Sequence, residues 1–158
     1  MRLALFEPDI PQNVGAILRL CACLGLPLDV IEPCGFVFDD RRLKRVAMDY
    51  LDKVTLCRHD SWAAFLGAHE QAAQAGRLVL LSTRAETPYT AFAFREDDTL
   101  LLGRESKGVP ETVHETADAR VKIPLQSGLR SLNVALAAAM VAGEALRQTA
   151  GFQPGNGT

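Results

Sequence analysis

Short, mostly apolar runs punctuate the chain at Leu3–Phe6, Leu26–Ile31, Val54–Cys57, Leu78–Leu81, Thr99–Leu102 and Val121–Ile123. A strand covered on both faces reads as such an unbroken run, because neither side meets water. Between several of them lie windows with apolar residues at helical spacing: Asn13–Leu24, Asp40–Met48, Ser61–Gln74 and Leu132–Leu146. Strand alternating with helix predicts an α/β fold, a mostly parallel sheet flanked by helices. Gly25 falls where the first helix should stop and Ser61 where the third should be capped. A single domain is expected over residues 1–150, and the turn-rich tail 151–158 offers so little to bury that it is expected to be disordered.

Charge and cysteine content narrow the partners. The net charge of −2 and pI near 5.9 give no bulk attraction for a polyanion, so any nucleic-acid contact needs a local basic patch. The densest such patch is Arg41, Arg42, Lys44 and Arg45, followed by Asp49-Tyr50. Such a charge run also suits a plain solvated face, and Tyr50 can stack on a base or simply pack. Cys21, Cys23, Cys34 and Cys57 form no C-x-x-C pair and no zinc-spaced cluster with the histidines, so they are expected to be reduced core thiols, with no metal site. The opening apolar run meets Glu7-Pro8 too soon for a signal peptide, and Val134–Ala142 is too short to span a bilayer. A cytoplasmic protein with no membrane contact is expected.

In open parallel sheets, ligands gather beyond the carboxyl ends of strands, so the loops there carry the interest. After Thr99–Leu102 comes Gly103-Arg104-Glu105-Ser106-Lys107-Gly108-Val109-Pro110. Two glycines allow a tight turn, but Glu105 stands where a dinucleotide fingerprint needs its middle glycine. A carboxylate there repels a pyrophosphate and suits a ligand with positive charge or hydrogen-bond donors; a surface turn explains the loop equally well. After Val121–Ile123 comes Pro124-Leu125-Gln126-Ser127-Gly128-Leu129-Arg130-Ser131-Leu132-Asn133, for which N-capping by Ser131 is the simpler account. Asn133 among apolar neighbours suggests a buried amide in need of a partner. After Leu3–Phe6, the segment Glu7-Pro8-Asp9-Ile10-Pro11-Gln12-Asn13-Val14-Gly15-Ala16-Ile17-Leu18-Arg19 puts an arginine on an apolar helix. Arg19 there suits a phosphate or carboxylate, or else a helix edge with its head in water.

Taken in order, Asn13–Arg19, Gly103–Pro110, and Ile123-Pro124-Leu125 with Ser131-Leu132-Asn133-Val134 resemble the three motifs of SPOUT-class RNA methyltransferases. The resemblance covers nearly the whole chain. The short length, with Phe36–Arg45 and Asp49-Tyr50, looks like the branch that methylates the ribose 2′-hydroxyl of the wobble nucleotide of tRNA, cytidine or uridine. The resemblance implies a C-terminal trefoil knot, a homodimer, S-adenosylmethionine as methyl donor and the anticodon stem-loop of tRNA as substrate. It also implies that the cofactor touches Leu81, Gly103, Glu105, Ile123, Leu125, Ser131 and Asn133, while Arg41, Arg42, Lys44, Arg45 and Tyr50 meet the RNA. Arg104 and Ser106 occupy variable positions of the glycine loop.

None of His59, His69 or His114 lies in these loops, which disfavours an imidazole base. The resemblance points instead to Arg19, acting with a substrate phosphate; a guanidinium stays protonated, so it orients rather than takes the proton alone. No metal is required. Two rivals stand beside this reading: methylation of another tRNA or ribosomal RNA nucleotide, and a nucleotide-binding module without catalysis. A Rossmann dehydrogenase is disfavoured because no G-x-G-x-x-G follows the first strand.

Overall fold

The apolar runs lie side by side because each can hide both faces only inside a layered sheet. The computed structural model describes residues 1–37, 48–72 and 76–152. Its strands are β1 (Arg2–Phe6), β2 (Leu28–Ile31), β3 (Leu56–His59), β4 (Leu78–Leu81), β5 (Thr87–Pro88), β6 (Thr99–Leu102) and β7 (Ala119–Lys122). They form one parallel sheet in the order β3-β2-β1-β6-β4-β7-β5. The helices are α1 (Pro11–Leu24), α2 (Trp62–Gln71), α3 (Glu111–Thr116) and α4 (Val134–Gln148).

Alternation along the strands divides the core in two. Leu3, Leu5, Leu28, Val30, Val79, Leu100, Leu102 and Val121 face α1 and α4, which answer with Val14, Ile17, Leu18, Ala138, Val141, Ala142 and Ala145. Ala4, Phe6, Ile31, Leu78, Leu80 and Leu101 face the other way, onto Phe65 of α2 and Val113 of α3. Small alanines let α4 lie close to the sheet, and its carboxyl end is tied to the loop before β6 by Gln148, which accepts from Phe94 N–H and donates to the Phe92 carbonyl. Among the described residues, carboxylates enter this core only with partners: Asp29 meets Arg2 at 2.8 Å and His59 at 2.7 Å, and Asp98 takes both ends of the Arg77 guanidinium.

Both expected caps are present. Gly25 ends α1 with φ of 68°, a left-handed turn that glycine adopts without strain, and Ser61 Oγ accepts the Ala64 N–H. Several bounds differ from the sequence reading for identifiable reasons. The run from Leu26 becomes strand only at Leu28, because Leu26 N–H is spent on the Cys21 carbonyl closing α1. The third strand is Leu56–His59 rather than Val54–Cys57; it borders the sheet, half exposed, and accepts polar Arg58 and His59 where an apolar pattern was expected. The last core strand is Ala119–Lys122 rather than Val121–Ile123, with Asp118 Oδ2 accepting the Leu78 N–H just before it. Neither α3, with Val113 alone buried, nor the two-residue β5 carries a periodic signal. The window Asp40–Met48 falls outside the described residues up to 47, and Met48 opens a 3-10 helix, Met48–Lys53. The tail lies outside them from residue 153 onward. Among the described residues no helix is long and apolar enough to cross a membrane.

The four cysteines are free, but only Cys21 is a core thiol; Cys34 and Cys57 are half-buried and Cys23 is exposed. Burial pushes the Cys21 thiol up to about 12 and Cys34 to about 11. A soluble maleimide at mildly alkaline pH should therefore label Cys23 first and leave Cys21 unmodified until the protein unfolds, as peptide mass mapping of the labelled protein would show.

Candidate active site

β6, β4 and β7 are neighbours in the sheet, so the loops beyond their carboxyl ends converge. With the start of α1 and the segment before α4 they enclose a cavity of about 880 Å³. Its floor is apolar, with Leu81, Leu102, Val121, Ile123 and Leu125, and its rim carries Arg84, Lys107, Glu111 and Arg130. This combination of an apolar bed and a few placed polar groups suits a ligand of nucleoside size.

The glycine loop is closed on itself. Arg104 N–H donates to the Gly108 carbonyl at 3.0 Å and Gly108 N–H returns to Arg104 at 2.9 Å. Gly108 has φ of 67°, and a Cβ on Gly103 would lie 2.8 Å from the Gly108 carbonyl carbon. Both glycines are thus required by the turn. The loop is then pinned to the first segment. Arg104 pairs with Glu7, whose own φ of 44° bends the chain sharply as it leaves β1. Ser106 N–H and Oγ both donate to Asp9 Oδ2.

Glu105 is the hub. One carboxylate oxygen accepts the Asp9 N–H at 2.9 Å and the other accepts Asn13 Nδ2 at 2.9 Å. Asn13 Oδ1 accepts Asn133 Nδ2 at 2.9 Å, while Asn133 Oδ1 accepts the N–H groups of Ala135 and Leu136 and so caps α4. One chain of hydrogen bonds therefore ties three distant segments into a single wall. The donors that Glu105 calls for come from the protein itself. The buried amide is Asn13, at 8% exposure, and Asn133 is exposed; Asn133 rather than Ser131 is the N-cap. The apolar neighbours of Asn133 predict its burial, but Leu132 and Leu136 are themselves exposed.

Leu81, Gly103, Glu105, Ile123, Leu125, Ser131 and Asn133 all line this one cavity. Arg19 does not. It lies six residues after Asn13, about 9 Å along α1 and a third of a turn round it, exposed, with its guanidinium 5.0 Å from the centre of the Tyr50 ring. Lys53 approaches the same ring at 5.8 Å. Arg41, Arg42, Lys44 and Arg45 lie outside the described residues. Three further residues, Asn13, Arg84 and Glu111, line the cavity without having been singled out by the sequence. Asn13 was signalled by an amide on the buried face of an apolar helix; Arg84 and Glu111 had no signal, because they meet only when the loop after β4 folds against the start of α3.

Residues 1–143 match the SpoU rRNA methylase family. The chain belongs to that family. This SpoU methylase is 62% identical over 146 residues to the tRNA (cytidine(34)-2′-O)-methyltransferase of Beijerinckia indica, covering 92% of this chain and 90% of that one. A solved structure described as "Structural insights into the 2-OH methylation of C/U34 on tRNA" is 44% identical with a TM-score of 0.85, covering 93% of this chain and 94% of the other. The SpoU methyltransferase AviRb from Streptomyces viridochromogenes, solved in complex with the cofactor AdoMet, is 27% identical with a TM-score of 0.82; the match covers 94% of this chain and 60% of that one. The parallel sheet with helices on both faces is thus the fold of the family.

Proposed function

We propose that this methylase transfers a methyl group from S-adenosylmethionine to the ribose 2′-hydroxyl of the wobble nucleotide, C34 or U34, of tRNA. The observation that carries the reading is the gathering of all three motif loops around one cavity, in a chain whose curated relatives carry that activity in their names over nearly their full length. Leu81, Ile123 and Leu125 offer the apolar bed for an adenine ring. Gly103, Ser131 and Asn133 flank it, and Glu105 holds the loops together from behind. When bound, S-adenosylmethionine supplies a methyl group on a sulfonium, which leaves as a neutral thioether.

The rest is alignment and charge. Holding hydroxyl and methyl in line contributes roughly 7–11 kcal/mol of barrier lowering, more than a positioned base supplies. Lys107 and Arg130, exposed on the rim and free of ion pairs among the described residues, suit the RNA phosphates. Arg41, Arg42, Lys44, Arg45 and Tyr50 extend that contact to the anticodon stem-loop. Arg19 orients the phosphate and hydroxyl at the reacting nucleotide, and the hydroxyl proton passes to the phosphate or to water as the new C–O bond forms.

A homodimer completes the site. Leu136 and Met140, one turn apart on α4, are 59% and 41% exposed, Leu132 just before the helix is 38% exposed, and Leu129 and Ile10 are also bare. Ile10 and Leu132 are exposed and line the cavity as well, so a second copy seated on these bare side chains would reach the cavity and bring its own Arg19. The trefoil passage of the loop before α4 is part of the same proposal.

The test is to incubate the protein with total tRNA and methyl-labelled cofactor and to map the label by nuclease digestion and mass spectrometry. The label is expected on the ribose of nucleotide 34. Label confined to the D-loop, or appearing only in ribosomal RNA, would move the enzyme to another branch of its family.

A further inference from the structure

One ion pair on the cavity rim belongs to no step above. Arg84 Nη1 donates to Glu111 Oε2 at 2.8 Å, and both side chains line the cavity while remaining 54% and 59% exposed. Their backbones are fixed. Ser82 N–H donates to the Val121 carbonyl, Arg84 N–H to Ser82 Oγ, and Ala85 N–H to the Ser82 carbonyl, so the turn after β4 presents Arg84 at a set place. Glu111 opens α3, whose Val113 is buried in the core. The pair therefore joins two anchored points across the mouth.

Every other charged pair at the cavity is committed elsewhere. Arg104 answers Glu7, which does not line the cavity, and Glu105 accepts from Asp9 and Asn13. Arg84–Glu111 alone, among the described residues, has both members on the cavity wall and open to solvent. Such an exposed pair contributes little to stability, so exchanging partners costs little. The hydrogen bond from the Arg84 guanidinium, more than the neighbouring His114 and Arg120, holds the Glu111 carboxyl below its usual range, so Glu111 stays ionised and ready for a cation.

An α-amino acid carries a carboxylate and an ammonium on one carbon, the mirror of this pair. A phosphate does not match it, because Glu111 repels an anion that Arg84 would attract; Lys107 and Arg130, free of ion pairs among the described residues, suit phosphate instead. We infer that Arg84 and Glu111 form a clamp for the amino-acid end of the cofactor, Arg84 taking its carboxylate and Glu111 its ammonium. The inference rests on the proposal that S-adenosylmethionine is the methyl donor.

Calorimetry with two probes tests it. S-adenosylhomocysteine keeps the amino-acid end; 5′-methylthioadenosine keeps the adenosine and lacks that end. Arg84→Ala and Glu111→Ala should each bind S-adenosylhomocysteine roughly 10- to 100-fold more weakly, the span expected for a lost charge-assisted hydrogen bond. Binding of 5′-methylthioadenosine should stay at the unsubstituted protein's level, which also reports that the variants are folded. Equal losses for both probes, or no loss for either, would overturn the clamp. If the unsubstituted protein binds neither S-adenosylmethionine nor S-adenosylhomocysteine, the functional reading itself fails and the clamp with it.

Discussion

Replacing Gly103 with alanine is expected to weaken S-adenosylmethionine binding by roughly 10- to 100-fold, the equivalent of about 1–3 kcal/mol of overpacking, while the protein stays folded. The added methyl would lie 2.8 Å from the Gly108 carbonyl carbon and 3.0 Å from both Gly108 Cα and Val109 Cγ1. Two of those atoms are backbone and cannot swing aside. The loop must spread, and the Arg104–Gly108 bridge with it. Because Glu105 lies between those residues, spreading also pulls on its bonds to Asp9 and Asn13, and through Asn13 on Asn133. The damage reaches all three segments of that wall, although the added group is a single methyl just after β6. Cofactor titration followed by intrinsic fluorescence measures the loss, and a thermal melt checks the fold. An alanine variant that binds as tightly as the original would mean that the loop has slack this packing denies it.

How much of this wall could be read from the sequence follows from what each residue does locally. Gly103 and Gly108 are visible because a tight turn needs them whatever surrounds it; the seven cofactor candidates come from the resemblance of the motifs, and they lie at strand ends and in the loops beyond them, where the α/β alternation places ligands. Asn13 was harder. Its role depends on Glu105, ninety-two residues away, and on Asn133, a hundred and twenty away, and nothing in local spacing encodes such a meeting. The passing of the capping role from Ser131 to Asn133 has the same origin. Either can cap a helix, and the choice fell to Asn133 because its other end is held by Asn13. Strand bounds shifted for a related reason: an edge strand such as β3 takes its register from β2 rather than from its own apolarity.

Arg19→Ala is expected to leave S-adenosylmethionine binding unchanged and to lower single-turnover methyl transfer by roughly 100- to 1,000-fold, the loss typical of removing a preorganised donor from a reacting centre. Arg19→Lys should restore little, because an ammonium lacks the planar fork and the stacking that the guanidinium makes over Tyr50. An undiminished rate in Arg19→Ala would sink the assignment. The sharper question is which copy's cavity Arg19 serves. It does not line its own, and the bare Leu132, Leu136 and Met140 face meets the cavity at Leu132. If the partner supplies it, mixing Arg19→Ala with Gly103→Ala chains and allowing exchange should recover activity at limiting cofactor. A mixed dimer then holds one site with an intact glycine loop from one chain and an intact Arg19 from the other. If Arg19 serves its own cavity, every site in the mixture carries one defect and activity stays at the level of the separate variants. A monomer by sedimentation would remove the dimer from the argument altogether, and with it any route by which this exposed arginine reaches a second cavity.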